Sequence, residues 1–405
     1  MTEITVVGGG VAGLVAAIAC AEAGAEVRLL EAHESLGGRG RSTDGPYVAN
    51  FGPHVLYANG TLWRFMRERE LLPPVASPPL MGAFFRAGGR RRRTPPLAFV
   101  RAVARLWRTQ EAPDDVSFRA WVSERCGERA AELLSRSCGV FAFHHDPGEL
   151  AAEFVWTRFR QAFLDLPLKA RYVRGGWTAL IAALERGARD AGVRIETGVR
   201  VRELSETGPG PTIVATELPD ARTLLADDTL HWPSGRTVAL DLGLRKRRGG
   251  GRGWVGGDPF VVWDLDEAGW IETYTVPDTT LAPAGHALVQ AQMPLRPGES
   301  TDDGERRLEA LLDCGFRDWR ERVSFRRRQL LDGRSGALDL PGTSWRDRPA
   351  VDRGDGVFLC GDSVAAPGLL SDPAVTSALE AARLAIARAE GRIVVRGKDA
   401  GSMAC

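Results

Sequence analysis

Three glycines, at positions 8, 10 and 13, constrain this chain more than any other feature of its sequence. They follow residues 3 to 7, a short β-branched and apolar run of the kind found in a buried parallel strand. In the spacing G-x-G-x-x-G, Gly8 permits a tight turn off the strand, and Gly10 lets backbone approach a pyrophosphate. Gly13 lets the next helix pack close to the sheet. That helix is expected over Val11 to Ala23, with Gly24 as its C-terminal cap. A second strand, Glu26 to Glu31, ends on a carboxylate placed to hold a ribose hydroxyl. Strand, glycines, helix, strand and terminal Glu in register point to dinucleotide binding.

A chain of 405 residues has room for two or three domains, and 44% apolar with 26% charged residues is a globular composition. Its net charge of +1 gives no global pull toward nucleic acid. All but three of the 53 basic residues are arginine, a bias that fits GC-rich coding rather than function. The six cysteines form no C-x-x-C and no metal-like pairing with the six histidines, so reduced thiols and no metal are expected. The first strand begins at residue 3, leaving no room for a signal peptide, and no apolar run reaches a membrane-spanning length. A cytoplasmic protein is the expectation.

Past Glu31 come Gly37-Gly38-Arg39-Gly40-Arg41-Ser42 and then Gly45-Pro-Tyr-Val-Ala-Asn50-Phe-Gly52-Pro53-His54-Val-Leu-Tyr57. Two glycines with alternating arginines suit a loop that wraps a second phosphate or a flavin. With Glu31 before them, these segments resemble the N-terminus of the FAD-dependent amine oxidase superfamily, nearest its phytoene-desaturase-like and protoporphyrinogen-oxidase-like branches. The resemblance implies FAD rather than NAD. It also implies an α/β fold: a Rossmann-type FAD-binding domain of the p-hydroxybenzoate-hydroxylase-like (GR2) kind, with an inserted α+β substrate domain. Asn50 departs from the pattern, which usually has Asp there.

The middle of the chain reads less specifically. A short helix within residues 59 to 74, a Gly88-Gly89 hairpin and helices through 118 to 143 and 154 to 163 are expected. From Pro95, Val100, Val103, Ala104 and Trp107 share one helix face while Arg101, Arg105 and Arg108 lie on others. Such a helix can lie on a membrane surface as a peripheral contact, or bury its apolar face in a substrate domain; burial is the expectation. His144 and His145 beside Asp146-Pro147 read as a turn rather than a metal site. Residues 172 to 225 resemble the family's return to the nucleotide domain: Gly175-Gly176 before a helix, strands at 193 to 195 and 199 to 203, then Thr212 to Thr216. Residues 226 to 345 alternate strands (237 to 244, 260 to 265, 271 to 276, 287 to 293) with one helix, 302 to 314; Trp232, Trp254, Trp263 and Trp270 crowd this half. From Gln329 to Ser344 the chain is polar and Gly-rich.

Near the C-terminus, Gly356 to Leu359 reads as a buried strand ending in Gly361-Asp362. Ala366-Pro-Gly-Leu-Leu-Ser-Asp-Pro373 then opens a helix from Ala374 to Ala389, capped by Ser371 or Asp372. This resembles the family's second flavin element, in which the Gly-Asp carboxylate meets the ribityl or phosphate portion and the helix end faces the flavin's pyrimidine carbonyl. Carried over residue by residue, the implied FAD contacts are Gly8, Gly10, Val11, Ala12, Gly13, Glu31, Ala32, Gly38, Arg39, Arg41, Gly52, Pro53 and His54. To these are added Val201, Ala215, Gly361, Asp362, Gly368, Leu369 and Leu370.

The resemblance divides the chain into a discontinuous FAD-binding domain (1–72, 170–225, 345–395), a substrate domain (73–169, 226–344) and a flexible tail (396–405). It implies hydride transfer from a substrate C–H to the flavin, with O2, a quinone or another carrier as final acceptor, and matches no catalytic residue. The family's usual flavin-facing lysine has its best counterpart strand at Thr237 to Leu244, which has none; Lys169 and Lys246 lie outside it. That favours dehydrogenation of a hydrophobic small metabolite, isoprenoid or secondary-metabolic in character, over amine oxidation. An FAD isomerase without net redox turnover and a non-enzymatic lipid-handling carrier are the alternatives; the carrier would expect degraded glycine motifs, and these are intact.

Overall fold

The computed structural model describes residues 3–79, 81–247, 257–368 and 370–392; Trp254, Leu369 and the expected tail lie outside the described residues. The first strand, Ile4–Val7, is buried throughout and sits between two parallel neighbours, Val27–Leu30 and Thr212–Val214. Across the six-stranded sheet the order is Asp352–Gly354, Val357–Leu359, Thr212–Val214, Ile4–Val7, Val27–Leu30 and Arg194–Glu196. Only the outermost pair, Asp352–Gly354 with Val357–Leu359, is antiparallel. The chain leaves the first strand toward one side and returns on the other. A crevice therefore opens at the carboxyl ends of Ile4–Val7 and Thr212–Val214, where such sheets bind ligands.

Small residues bring the layers together. The helix Val11–Glu22 buries Ala12, Ala16 and Ala17 and packs on Asp372–Ala389, which buries Ala378, Ala381, Ala382 and Ala385. The helix Trp177–Asp190 buries Leu180, Leu184 and Ala188, as its apolar spacing predicts.

A seven-stranded sheet forms the second layer, in the order Val323–Ala337, Ser234–Arg245, His286–Pro294, Trp270–Thr273, Val261–Asp264, Ala83–Ala87 and Arg90–Arg92. Alternation divides its faces. Leu240, Leu242, Val289, Ala291 and Ile271 pack beneath the helix Thr301–Gly315. The opposite face turns toward residues 47 to 57. A third cluster, built around Phe118, Trp121, Phe154, Trp156 and Phe159, holds the helices between residues 97 and 164.

Several expectations need correction. Residues 199 to 203 form no strand; Gly198 N and Val199 N donate to the carbonyls of His33 and Glu31, while Arg202 N and Glu203 N donate to the Glu206 side chain. The polar stretch from Gln329 is strand as far as Ala337, because edge strand Val323–Ala337 shows one face to solvent. The helix Leu97–Leu106 buries Phe99, Ala102 and Leu106, not the Val100–Trp107 face, which is largely exposed. The helical stretch expected over 118 to 143 divides at Gly127, whose φ of 85° ends one helix and starts the next. Ser371 makes no side-chain cap of its own helix, and Asp372 accepts instead from Thr61 N at 2.7 Å, capping the helix Thr61–Glu68.

One polar junction joins the two sheets. Asp241, wholly buried in the strand Ser234–Arg245, accepts from Arg327 Nε (2.7 Å), Gln329 Nε2 (2.8 Å) and Gln290 Nε2 (2.6 Å). The same Arg327 donates through a terminal nitrogen to the Asn50 carbonyl at 2.6 Å. Asn50 Oδ1 then accepts from Ser42 Oγ at 2.9 Å and from Trp177 N at 3.1 Å, capping the helix Trp177–Asp190. An acceptor oxygen is what this cap requires, which explains how Asn serves where the family pattern has Asp.

Two outcomes follow from that junction. Asn50→Ala should lose about 1 kcal/mol through the missing cap, and Asn50→Asp, which retains an acceptor, should lose less. Arg327→Met strands a buried carboxylate and should cost roughly 3–5 kcal/mol. Chemical denaturation of the three variants checks both, and a smaller loss in Arg327→Met than in Asn50→Ala would refute the ranking.

Candidate cofactor and substrate site

The three motif glycines do different work. A Cβ on Gly13 would stand 1.8 Å from the Gly8 carbonyl oxygen, and one on Gly8 would stand 2.8 Å from the Ala215 carbonyl. Both positions are closed by the chain's own backbone. A Cβ on Gly10 would meet nothing within 4 Å, so the space before it is open. Behind Gly10 the helix Val11–Glu22 begins with neither a capping side chain nor an acidic residue in its first turn. Its positive end, at Val11 and Ala12, is thus available to an anion.

Around this opening the fold gathers most of the residues singled out in the sequence. Ala215 N bonds to the Val7 carbonyl at 2.8 Å, and Cys360 N to the Val214 carbonyl at 2.9 Å, placing Ala215 and Gly361 beside Gly8 at adjoining strand ends. Gly361 is latched to the last helix by Ser377 Oγ, 3.0 Å from its nitrogen. Glu31 is buried, its carboxylate fixed by Gly9 N at 2.7 Å and His33 N at 2.9 Å, with Ala32 next to it. Gly37 N bonds to the Gly9 carbonyl at 2.8 Å, which brings Gly38 against the glycine loop. These residues fit a dinucleotide: an open Gly10, a helix end without a cap, and a positioned carboxylate at the sheet's switch point.

Arg39 and Asp362, each expected at the cofactor, pair with one another at 2.7 Å. Burial pushes the Asp362 carboxyl up, but the Arg39 guanidinium outweighs it and holds it below the usual carboxylate range. Arg39 also donates to the Arg334 carbonyl at 2.8 Å, tying this pair to the seven-stranded sheet. Arg41 turns elsewhere, toward the Gly38 carbonyl (3.1 Å), and its guanidinium lies 5.4 Å from the Phe51 ring centre, just before Gly52 and Pro53. Val201 lies in irregular chain beyond the Val199–Glu31 contact. Gly368 abuts Asp372, Leu370 has a φ of 53°, and Leu369 falls outside the described residues.

His54 stacks on Trp177 with ring centroids 4.4 Å apart and places Nε2 2.8 Å from the Arg39 carbonyl. Burial lowers its pKa to about 4, so the ring is neutral at physiological pH. The buried Trp177 Nε1 has no partner among the described residues, a donor left over beside this loop. The His54 N–H donates to Tyr274 Oη at 3.0 Å, joining the loop to the facing sheet.

That sheet face carries residues the sequence reading passed over. Asp241, Gln290 and Glu272 are direct cross-strand neighbours, with Gln292 and Trp270 paired two residues along. Glu272 is buried, accepts from Tyr172 Oη, and lies 3.4 Å from Trp270 Nε1. Burial pushes its pKa up to about 7 against the pull of Tyr172, Trp270 and Tyr274. The signal was present as single polar residues within apolar strands, in Leu-Asp241-Leu, Ile-Glu272-Thr and Val-Gln290-Ala-Gln292-Met. Of the two lysines considered, Lys246 is exposed beyond the end of its strand, and Lys169 accepts from Ala58 N through its carbonyl at 2.8 Å. His144 serves the turn, accepting from Asp146 N at 3.2 Å.

The sequence of residues 6–69 matches the family of NAD(P)-binding Rossmann-like domains. No curated protein matches the chain. Solved structures do. An oxidoreductase from Methanosarcina mazei superposes with a TM-score of 0.72 at 16% identity, covering 93% of this chain and 99% of its own. Cyclohexylamine oxidase from Brevibacterium oxydans IH-35A gives 0.68 at 16% identity, covering 96% and 99%. A reduced UDP-galactopyranose mutase gives 0.67 at 12% identity, covering 96% and 94%. The chain has the mixed α/β fold of these proteins over nearly its whole length, with a Rossmann-like dinucleotide domain at its start.

Proposed function

We propose that this chain is an FAD-dependent oxidoreductase, a dehydrogenase, desaturase or oxidase that removes hydride from a C–H bond of a largely hydrophobic small metabolite. The observation that carries the reading is the open space before Gly10, framed by closed glycines and an uncapped helix end. In this reading residues 1–72, 170–225 and 345–395 carry the cofactor, and 73–169 with 226–344 the substrate. Bound FAD supplies the hydride acceptor. The protein's own part is to hold the dinucleotide through Gly8–Gly13 and Glu31, to set Arg39 and Asp362 beside it, and to present a roof containing Trp263, Trp270, Tyr172 and Tyr274. The strand Ser234–Arg245, the best counterpart of the one that carries the family's lysine, contains no lysine, which supports C–C or ring dehydrogenation over amine oxidation. The likeness to a mutase favours one second reading, an FAD enzyme whose turnover leaves the flavin's redox state unchanged.

Gly10→Val tests the cofactor. A Cβ at position 10 meets nothing within 4 Å, so the variant should fold and melt as the flavin-free parent does while losing its flavin absorbance. A Gly10→Val protein that keeps its full flavin content would place the cofactor elsewhere. Glu31→Ala should weaken FAD by roughly 1.5–3 kcal/mol, about ten- to a hundredfold in Kd, read by fluorescence titration.

The helix Leu97–Leu106 supports a peripheral membrane contact as part of the same reading. Leu97, Val100 and Trp107 are 61%, 45% and 44% exposed, and Arg101, Arg105 and Arg108 are exposed beside them. Apolar side chains rimmed by arginine suit an anionic lipid surface. No helix among the described residues is long and apolar enough to cross a membrane. The protein should cosediment with phosphatidylserine-containing vesicles and not with phosphatidylcholine alone. Reversing Arg101 and Arg105 to Glu should lower partitioning by on the order of tenfold or more. Equal recovery with both vesicle types would remove the lipid surface from the proposal.

A further inference from the structure

Four arginines converge on one small cavity beside the edge strand Arg90–Arg92 of the seven-stranded sheet. The cavity, about 230 Å3 in volume, is lined by Arg91, Arg93, Arg247, Arg317 and Asp258. Alternation puts Arg91 and Arg93 on one side of the chain as it leaves that strand. The Arg91 guanidinium lies 3.7 Å from the centre of the Phe84 ring and donates to the Gly315 carbonyl at 3.3 Å. Arg93 lies 5.9 Å from the same ring. Arg247 follows the end of the strand Ser234–Arg245, and Arg317 the end of the helix Thr301–Gly315. Phe84 pairs with Val262, which packs beneath that helix. The cavity is therefore on the helix side of the sheet, not on the side turned toward residues 47 to 57.

Like charges gathered in this way repel, and the described residues offset few of them. The one carboxylate, Asp258, is already held by both terminal nitrogens of Arg322, at 2.7 and 3.0 Å. Arg317 reaches only its neighbour Asp318, at 3.6 Å, and Arg93 and Arg247 meet no carboxylate among the described residues. An abundance of arginine does not account for this. Along the neighbouring edge strand, Arg326 meets Glu305 and Glu309 at 2.6 Å each, and Arg328 meets Asp302 at 2.7 Å. At the cavity such partners are missing among the described residues, so the matching charge comes from outside them. Guanidinium forks match the oxygens of a phosphate, and the Phe84 ring fixes the plane of Arg91 before an anion arrives. The volume is below the roughly 300–1,000 Å3 of a metabolite-sized pocket, which suits a single phosphate group and its waters.

We propose that this arginine cavity binds a phosphate group, presented either as free phosphate or as the head of an anionic lipid. The site is separate from the oxidoreductase reading and does not depend on it. Only the lipid source rests on the surface contact proposed above. Arg93 stands four residues before Leu97, within roughly 14 Å along the chain. Leu97 and Val100 are exposed on the helix that follows, so a lipid under that helix has its phosphate within reach of the cavity.

Isothermal titration of the full chain with inorganic phosphate reads the site, with excess FAD added to fill the glycine loop. The parent should bind phosphate, and replacing Arg93 and Arg247 together by Gln should lower the affinity by about tenfold or more. Both side chains are exposed, so this variant should melt as the parent does. Arg129→Gln with Arg383→Gln removes the same charge at exposed positions outside the cavity, each paired with a carboxylate of its own helix. That control should bind phosphate as the parent does. A second arm uses phosphatidylcholine vesicles containing phosphatidic acid. Release of the parent by inorganic phosphate, with weaker vesicle binding by the cavity variant, identifies the lipid head as the source. Equal vesicle binding by parent and cavity variant, with phosphate affinity still lost, assigns the cavity to a soluble phosphate. Phosphate binding by a parent that ignores the vesicles supports the cavity and counts against the surface helix alone. No phosphate binding by the parent, or equal affinity in parent and cavity variant, overturns the proposal.

Discussion

Arg327 is a largely buried cation through which the two layers of this protein hold each other, alongside the Arg39–Arg334 and His54–Tyr274 contacts. Its guanidinium neutralises Asp241 inside the seven-stranded sheet and reaches the Asn50 carbonyl on the first domain's loop. A buried carboxylate would not persist there without it. Because Asn50 also caps the helix Trp177–Asp190, one cation sets the separation between the sheet face and the helix that supports His54. The stacking of His54 on Trp177 and its contact with Tyr274 then need no further adjustment.

The C-terminal helix makes a comparable connection from the other side. Asp372 caps the helix Thr61–Glu68, and Ser377 holds Gly361 at the end of the last parallel strand. Two polar side chains of one helix therefore fix both the Gly-Asp corner and a helix more than three hundred residues away in sequence. Arg39 closes the ring by joining Asp362 to the carbonyl of Arg334 on the edge strand. Groups separated along the chain become rigid partners because each donor has its acceptor inside the fold.

What could be read from the sequence divides along physical lines. The glycine motif was legible because Gly13 answers to the Gly8 carbonyl within the same turn, a contact that leaves no room for a Cβ. The strands of the second half were legible from alternation, except for Val323–Ala337, where an edge position allows an arginine-rich strand to look like loop. The helix face at Leu97–Leu106 was misread because Phe99, Ala102 and Leu106 form as good a helical stripe as Val100, Ala104 and Trp107; only tertiary packing distinguishes them. Arg39 and Asp362 were singled out one at a time, since nothing local reveals that two motifs 323 residues apart form an ion pair. Glu272 escaped notice for a related reason. Its meaning lies in cross-strand neighbours, which a linear reading does not supply.

Those cross-strand neighbours also limit what the roof of the site can be. Trp263 and Trp270, with ring centres 5.5 Å apart, would suit a purely hydrocarbon substrate. Gln290 and Gln292 would not, because a ligand without donors would seal their two side-chain carbonyl oxygens, which accept nothing among the described residues, in a dry space at about 1–3 kcal/mol each. Glu272 between them is met inside the fold by Tyr172 and Trp270, and burial pushes its pKa up to about 7. A site that only bound hydrocarbon would be served as well by Leu or Met at these positions. The polar row is explained when the molecule it meets has an apolar body for the tryptophans and donors for the two glutamine oxygens.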